Sequence, residues 1–251
     1  MTKPVHLLVD GDIVAYRASC SKGPDGNPPT MDYATQRLED HLQYLKDNLQ
    51  ADRISVILSD KANFRRALYE PYKANRDGTE RPTLLEDLKQ YLRDKHGAFA
   101  LEWLEADDTM GILATEPCDE LRVMVSIDKD MKQIPGYLLN PGKWAEGVQT
   151  ITPELADAWF YRQLLTGDST DNIPGCPTIG EKRAAKLLDG SSPDEWWAIC
   201  KATFEKHHLD ENYAVLQARL VRLLRYEDYD MATGEISLWL PDGKRELRKF
   251  S

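Results

Sequence analysis

Val5-His6-Leu7-Leu8-Val9-Asp10-Gly11-Asp12 reads as a buried β-strand that ends on a carboxylate and turns at once into a helix near Ile13-Val14-Ala15-Tyr16. The same arrangement recurs three times. Ile54-Ser55-Val56-Ile57-Leu58 leads to Asp60, Phe99-Ala100-Leu101-Glu102-Trp103-Leu104 leads to Glu105, and Leu121-Arg122-Val123-Met124-Val125-Ser126-Ile127 leads to Asp128. Segments with helical spacing lie between these runs, at 33–49, 84–92 and 107–115. Strands alternating with helices predict an α/β core with a parallel sheet, and the short apolar pieces at 137–139 and 148–151 extend one of its edges. The carboxyl ends of parallel strands line one crevice.

Nine acids fall at predicted strand ends or helix starts: Asp10, Asp60, Glu105, Asp107, Asp108, Asp128, Asp130, Asp168 and Asp171. Ionised together in one crevice, they would raise each other's pKa, so the arrangement calls for cations. Oxygen-only ligands suit magnesium or manganese. Two such ions about 4 Å apart are the usual apparatus for in-line attack on a phosphodiester. Each acidic group also has a plainer reading by itself. Asp10-Gly11-Asp12 can be a turn with helix-capping carboxylates, and Glu105-Ala106-Asp107-Asp108 an acidic first helical turn that complements the helix dipole. Jointly they point to a metal-dependent nuclease.

The 251 residues suffice for one large domain or a core with a subdomain. No apolar run approaches the roughly 18 residues of a membrane span, and the N-terminus opens into a strand rather than a signal peptide. Cys20, Cys118, Cys176 and Cys200 show no paired spacing, which favours a reduced intracellular setting over disulfides or zinc. The formal charge of −10 is unlike the basic footprint of a nucleic-acid enzyme, but the acidic cluster accounts for most of it. Positive charge is patchy: Arg65-Arg66, Lys73 to Arg76, and Lys182-Arg183 with Lys186.

Thr152-Pro153-Glu154 is a helix start, with a capping hydroxyl, proline in the first turn and an acid after it. From there to Tyr226 the chain is helix and turn, so we divide it into a core at 1–152, a helical subdomain at 153–226 and a tail at 227–251. Alternation at Ile236–Leu240 and the turn Pro241-Asp242-Gly243 predict a hairpin in that tail. The run Ile173-Pro174-Gly175-Cys176-Pro177-Thr178-Ile179-Gly180 opens a helix carrying Lys182, Arg183 and Lys186. Backbone N–H groups and basic side chains in that arrangement can grip a phosphate backbone without reading sequence, or the run is an ordinary interhelical turn before a solvated basic helix. Tyr72-Lys73-Ala74-Asn75-Arg76 suits a single strand, or is a solvated loop.

Taken in this order, the motifs resemble the flap endonuclease and 5′-exonuclease family, over about residues 5–190. Leu8-Val9-Asp10-Gly11, Ser59-Asp60 with Phe64-Arg65, and Tyr72 through Arg76 carry the resemblance. So do Glu105 through Asp108, Ser126-Ile127-Asp128-Lys129-Asp130, and Gly167-Asp168 through Leu188. The length resembles a phage-type enzyme acting in the cytoplasm of its host. The resemblance implies a PIN-like α/β core, a helical arch from about 70–95, and a helix–three-turn–helix DNA clamp around 172–188. It implies that the nine acids form a two-metal cluster for Mg²⁺ or Mn²⁺, with K⁺ on the clamp loop. Lys73 and Arg76 would contact the scissile phosphate and Tyr72 would stack on a nucleotide. Arg65, Thr178, Ile179, Gly180, Lys182, Arg183 and Lys186 would contact DNA. The implied partner is DNA with a 5′ end, nick or 5′ flap, with an RNA–DNA hybrid as a further candidate, bound by a monomer off the membrane. Two departures stand out. Thr178-Ile179-Gly180 replaces the usual Gly-aliphatic-Gly, and Asp12 stands where the family commonly has a neutral residue. Two rival readings are a haloacid-dehalogenase-type phosphatase, suggested by Asp10-Gly11-Asp12-Ile13-Val14, and a non-catalytic binder of branched DNA.

Overall fold

β1 (Val5–Asp10) sends alternate side chains into two apolar layers, and the architecture follows from that. Leu7 and Val9 face one layer and Leu8 the other, all fully buried. The computed structural model describes residues 3–23, 25–241, 243 and 245–250. The main sheet runs β2 (Arg53–Ile57), β1, β3 (Leu121–Val125), β4 (Gly136–Leu139), β5 (Gln149–Ile151). Its first four strands are parallel, and β5 runs antiparallel on the edge where the sequence places it. β1 lies between β2 and β3, so the connections diverge on its two sides and leave a crevice at its carboxyl end.

α1 (Gly11–Ser19), α2 (Met31–Asn48) and α4 (Leu85–His96) cover one face, packing Ala15, Leu38, Leu42, Leu88 and Leu92 against Val9, Val56 and Val123. α5 (Ala106–Thr115) covers the other, with Ala106 and Met110 against Leu8, Ile57 and Met124. The short α3 (Phe64–Leu68) lies between β2 and α4. α6 (Pro153–Thr166), α7 (Glu181–Leu188), α8 (Pro193–Lys206) and α9 (Glu211–Val221) enclose a further core of Phe160, Leu164, Cys200, Phe204, Ala214 and Ala218. Thr152 caps α6 as its sequence predicts, its Oγ1 accepting from Leu155 N at 3.3 Å.

Two expected elements differ. Phe99–Leu104 is not a third strand: Phe99 makes one parallel bridge to Ile57, after which the chain turns. Asp60 causes the turn, its Oδ2 accepting from Trp103 N at 2.9 Å while Trp103 adopts a left-handed φ of 66°. Nor does a helical arch span 70–95. Leu85, Leu88 and Leu92 give α4 an apolar stripe that buries against α1 and α2, which leaves only the mostly exposed residues 77–84 to bridge from a 3₁₀ turn at Ala74–Arg76.

The tail forms the expected hairpin, β6 (Ile236–Trp239) with β7 (Arg245–Arg248), although Asp242 of its turn lies outside the described residues. It is integral to the molecule: Ile236 and Leu238 join Leu224 in packing against Phe64, Leu104 and Ile112.

Candidate active site

A cleft of about 1070 Å³ opens at the carboxyl ends of β1 and β3. Asp10, the last residue of β1, caps α1: its Oδ1 accepts from Ile13 N at 3.0 Å, and its Oδ2 from Ser126 Oγ at 3.1 Å. Asp128 follows β3 and accepts from Asp130 N at 2.8 Å, which turns both acids into the cleft wall. Glu105 and Asp107 enter at the start of α5. Asp168 and Asp171 come from the loop after α6. Gly167 and Gly175 adopt left-handed φ of 64° there, and a Cβ on either would lie 2.3 Å from the opposing backbone. Only glycine permits so close a crossing.

The acids divide by partner. Lys73 pairs with Glu105 and, at 3.4 Å, with Asp171; Arg76 also pairs with Asp171, and Lys129 with Asp168 at 3.4 Å. Burial alone would raise Glu105, but Lys73 and Arg65 hold it at about 2. Among the described residues, Asp10, Asp107, Asp128 and Asp130 have no paired basic side chain. Burial, reinforced by neighbouring carboxylates, pushes Asp10 and Asp130 up to about 7 and Asp107 well above the carboxylate range. Asp107 Oδ1 is buried without a hydrogen-bond partner.

An orphaned carboxylate oxygen among mutually repelling acids is a donor that a hard divalent cation satisfies. The donor set therefore fits such ions, although no three acidic, histidine or cysteine side chains among the described residues converge into a ready cage. The elevated pKa values also have a consequence for stability. In the unfolded chain Asp10 and Asp130 titrate near 4, so between about pH 4 and pH 7 the ion-free fold binds more protons and loses stability as pH rises. Thermal melts in EDTA are expected to fall from about pH 5 to about pH 8, and millimolar Mg²⁺ to restore stability chiefly at the higher pH. A melting temperature that rises with pH over this range would contradict the assignment.

The model for the N-terminal resolvase-like domain of 5′-3′ exonucleases matches residues 5–144. The chain belongs to the 5′-3′ exonuclease family. An exodeoxyribonuclease of Enterobacteria phage T3 is 28% identical to this family member, over 94% of the chain and 92% of the relative. A 5′-3′ exonuclease of Buchnera aphidicola is 31% identical over 74% of the chain and 70% of its own length. Among solved structures, the bacteriophage T5 flap endonuclease in complex with DNA and metal ions shares the fold, with TM-score 0.61 and 18% identity over 87% of this chain and 89% of that one. No helix among the described residues is long and apolar enough to cross a membrane.

Several residues of this exonuclease-family chain stand elsewhere than the resemblance implies. Arg65 does not face DNA: it is 1% exposed and grips Asp108 with two hydrogen bonds of 2.6 and 2.7 Å. Asp108 is accordingly not available to an ion. It is fully buried and also accepts from Leu224 N at 3.1 Å. Tyr72 is 2% exposed, so no ring face is open to a nucleotide. Its hydroxyl donates instead to Glu105 at 2.6 Å. Asp60 spends both oxygens on the N–H groups of Lys61 and Trp103. The Ile179 side chain is core, whereas Thr178, Gly180, Lys182, Arg183 and Lys186 are exposed around the start of α7. Asp12 accepts from Ser59 N at 3.0 Å and pairs with Lys89 at 2.8 Å. Ser126, Lys89 and Lys129 enter the site with no assigned role in the sequence. Ser126 at least was signalled by standing two residues before Asp128.

Thr178 has φ of 65°, the left-handed region where the family's glycine is at ease and a β-branched residue is strained. Thr178→Gly is expected to raise stability by about 1 kcal/mol in urea titration, the scale of one such strain. A loss would mean that the bond from Arg183 to Thr178 Oγ1, at 3.4 Å, outweighs the strain.

Proposed function

We propose that this nuclease hydrolyses phosphodiesters near the 5′ ends of duplex or branched DNA, assisted by two divalent cations, Mg²⁺ or Mn²⁺. The observation that carries the reading is the group Asp10, Asp107, Asp128 and Asp130, which share a cleft and have no paired basic side chain among the described residues. Bound cations would activate water and stabilise the leaving oxygen. Asp10, Asp107, Asp128 and Asp130 would hold them. Glu105 and Asp171 hold the ammonium of Lys73 at the cleft, and their charges raise its pKa against the opposing effect of burial. Lys73 and Arg76 would offset charge on the phosphoryl oxygens. The exposed start of α7, with Lys182, Arg183 and Lys186, would bind duplex phosphates, and the family resemblance supports K⁺ on the loop before it. The kinship to a phage exodeoxyribonuclease supports action on phage DNA in the host cytoplasm; a monomer would bind it, with nicks, 5′ flaps and RNA–DNA hybrids as candidate substrates.

The phosphatase reading lacks support, because Asp168 follows a helix, α6, where that family needs a strand. One gel of 5′-flap, nicked, single-stranded and end-blocked DNA, with and without Mg²⁺, tests the proposal. Release of short products from 5′ ends only with Mg²⁺ supports it, and equal cleavage in EDTA overturns it. Lys73→Ala is expected to slow single-turnover cleavage roughly 10²-fold. It should also cost about 1–3 kcal/mol of stability, because Glu105 loses a charge-assisted hydrogen bond. An unchanged rate would remove Lys73 from the chemistry.

A further inference from the structure

Two buried glutamines, Gln163 in the wall of the cleft and Gln133 behind it, form a hydrogen-bond chain that ends on Asp130. Gln133 closes the 3₁₀ turn Lys129–Gln133 and is 1% exposed; Gln163 lies on α6 and is 3% exposed. Gln133 Oε1 accepts from Leu223 N at 3.2 Å, and its Nε2 donates to Val221 O at 2.7 Å. The main chain thus dictates which way this amide faces, since a flipped amide would set oxygen against oxygen and N–H against N–H. One proton of Nε2 remains, and it goes to Gln163 Oε1 at 2.6 Å. With its oxygen so engaged, Gln163 must present its own Nε2 to Asp130 Oδ1, at 2.5 Å. The chain therefore has one polarity, from the backbone after α9 to a carboxylate in the cleft.

We propose that Gln163 is a positioning residue for Asp130, oriented by Gln133, and that it sets the affinity of the cleft for divalent cations. With Oδ1 held by an amide donor, rotation of the carboxylate is restricted, and Oδ2, which accepts no hydrogen bond among the described residues, would remain for an ion. Partners of this kind, which orient a ligand without touching the metal, typically change metal affinity or activity by about 10–100-fold. A purely structural amide pair would alter stability alone. The inference rests on the divalent-cation reading above.

Calorimetric titration of the whole protein with Mn²⁺, without DNA, separates the two. Gln163→Leu is expected to weaken Mn²⁺ binding about 10–100-fold while unfolding remains cooperative. Gln163→Asn, one methylene shorter, keeps the polarity of the site but cannot reach Asp130, and should weaken binding similarly even if the leucine variant folds poorly. Because Gln133 acts only through Gln163, Gln133→Leu added to Gln163→Leu should weaken binding no further. Wild-type binding with unchanged affinity in the folded variants overturns the inference alone. A wild-type protein that takes up no Mn²⁺ overturns the cation reading and this inference with it.

Discussion

Asp107→Asn is expected to lower cleavage about 10³-fold, equivalent to about 4 kcal/mol of barrier, while making the ion-free protein more stable at alkaline pH. The two effects share one cause. Burial and the charges of Asp10, Asp128 and Glu105 disfavour ionised Asp107, and its Oδ1 has no donor to offset this. An amide of the same shape removes the repulsion, and with it a donor for the cation. The gain should appear in EDTA melts at about pH 8 and shrink toward about pH 5, because burial and the neighbouring acids raise the Asp107 pKa and favour its neutral form as pH falls. Stability gained at the expense of activity marks a functional carboxylate. A variant that loses stability at both pH values would make Asp107 an ordinary structural acid.

Arg65→Met is expected to cost about 3–5 kcal/mol of folding stability, because it leaves the fully buried Asp108 charge without its partner. The loss extends to the end of α9, since the Arg65 guanidinium also donates to Leu220 O at 2.9 Å and Arg222 O at 2.6 Å. Urea midpoints measure it. Pairing Arg65→Met with Asp108→Leu should recover much of the stability, as apolar replacement of a whole buried pair is often near neutral. If Arg65 were a surface DNA contact, its removal would change stability by no more than about 0.5 kcal/mol and weaken duplex binding instead.

These two arginine partners show where sequence reading stops. Arg65 sits in a polar, basic stretch, and nothing local distinguishes it from Arg66, which is about half exposed and pairs with Asp77 at the surface. Its burial is decided by Asp108, 43 residues away, and by a carbonyl 155 residues away. Tyr72 and Asp60 follow the same rule. Each has the residue type that the resemblance leads one to expect, but its partners come from Glu105 and from the turn at Trp103.

The sequence by itself determined the α/β core, its parallel strands, the carboxylates at their ends and the family. Near-continuous apolar runs and residues at strand ends are local signals that survive without knowledge of the partner. Tertiary structure alone decided which acids lack a basic partner among the described residues and which are paired with one. It likewise decided that α4 packs into the core rather than rising as an arch, and that Gln163 reaches Asp130 through an amide fixed by the backbone at 221–223. Those outcomes depend on burial and on charges brought together from distant parts of the chain, and neither is written in any short stretch of residues.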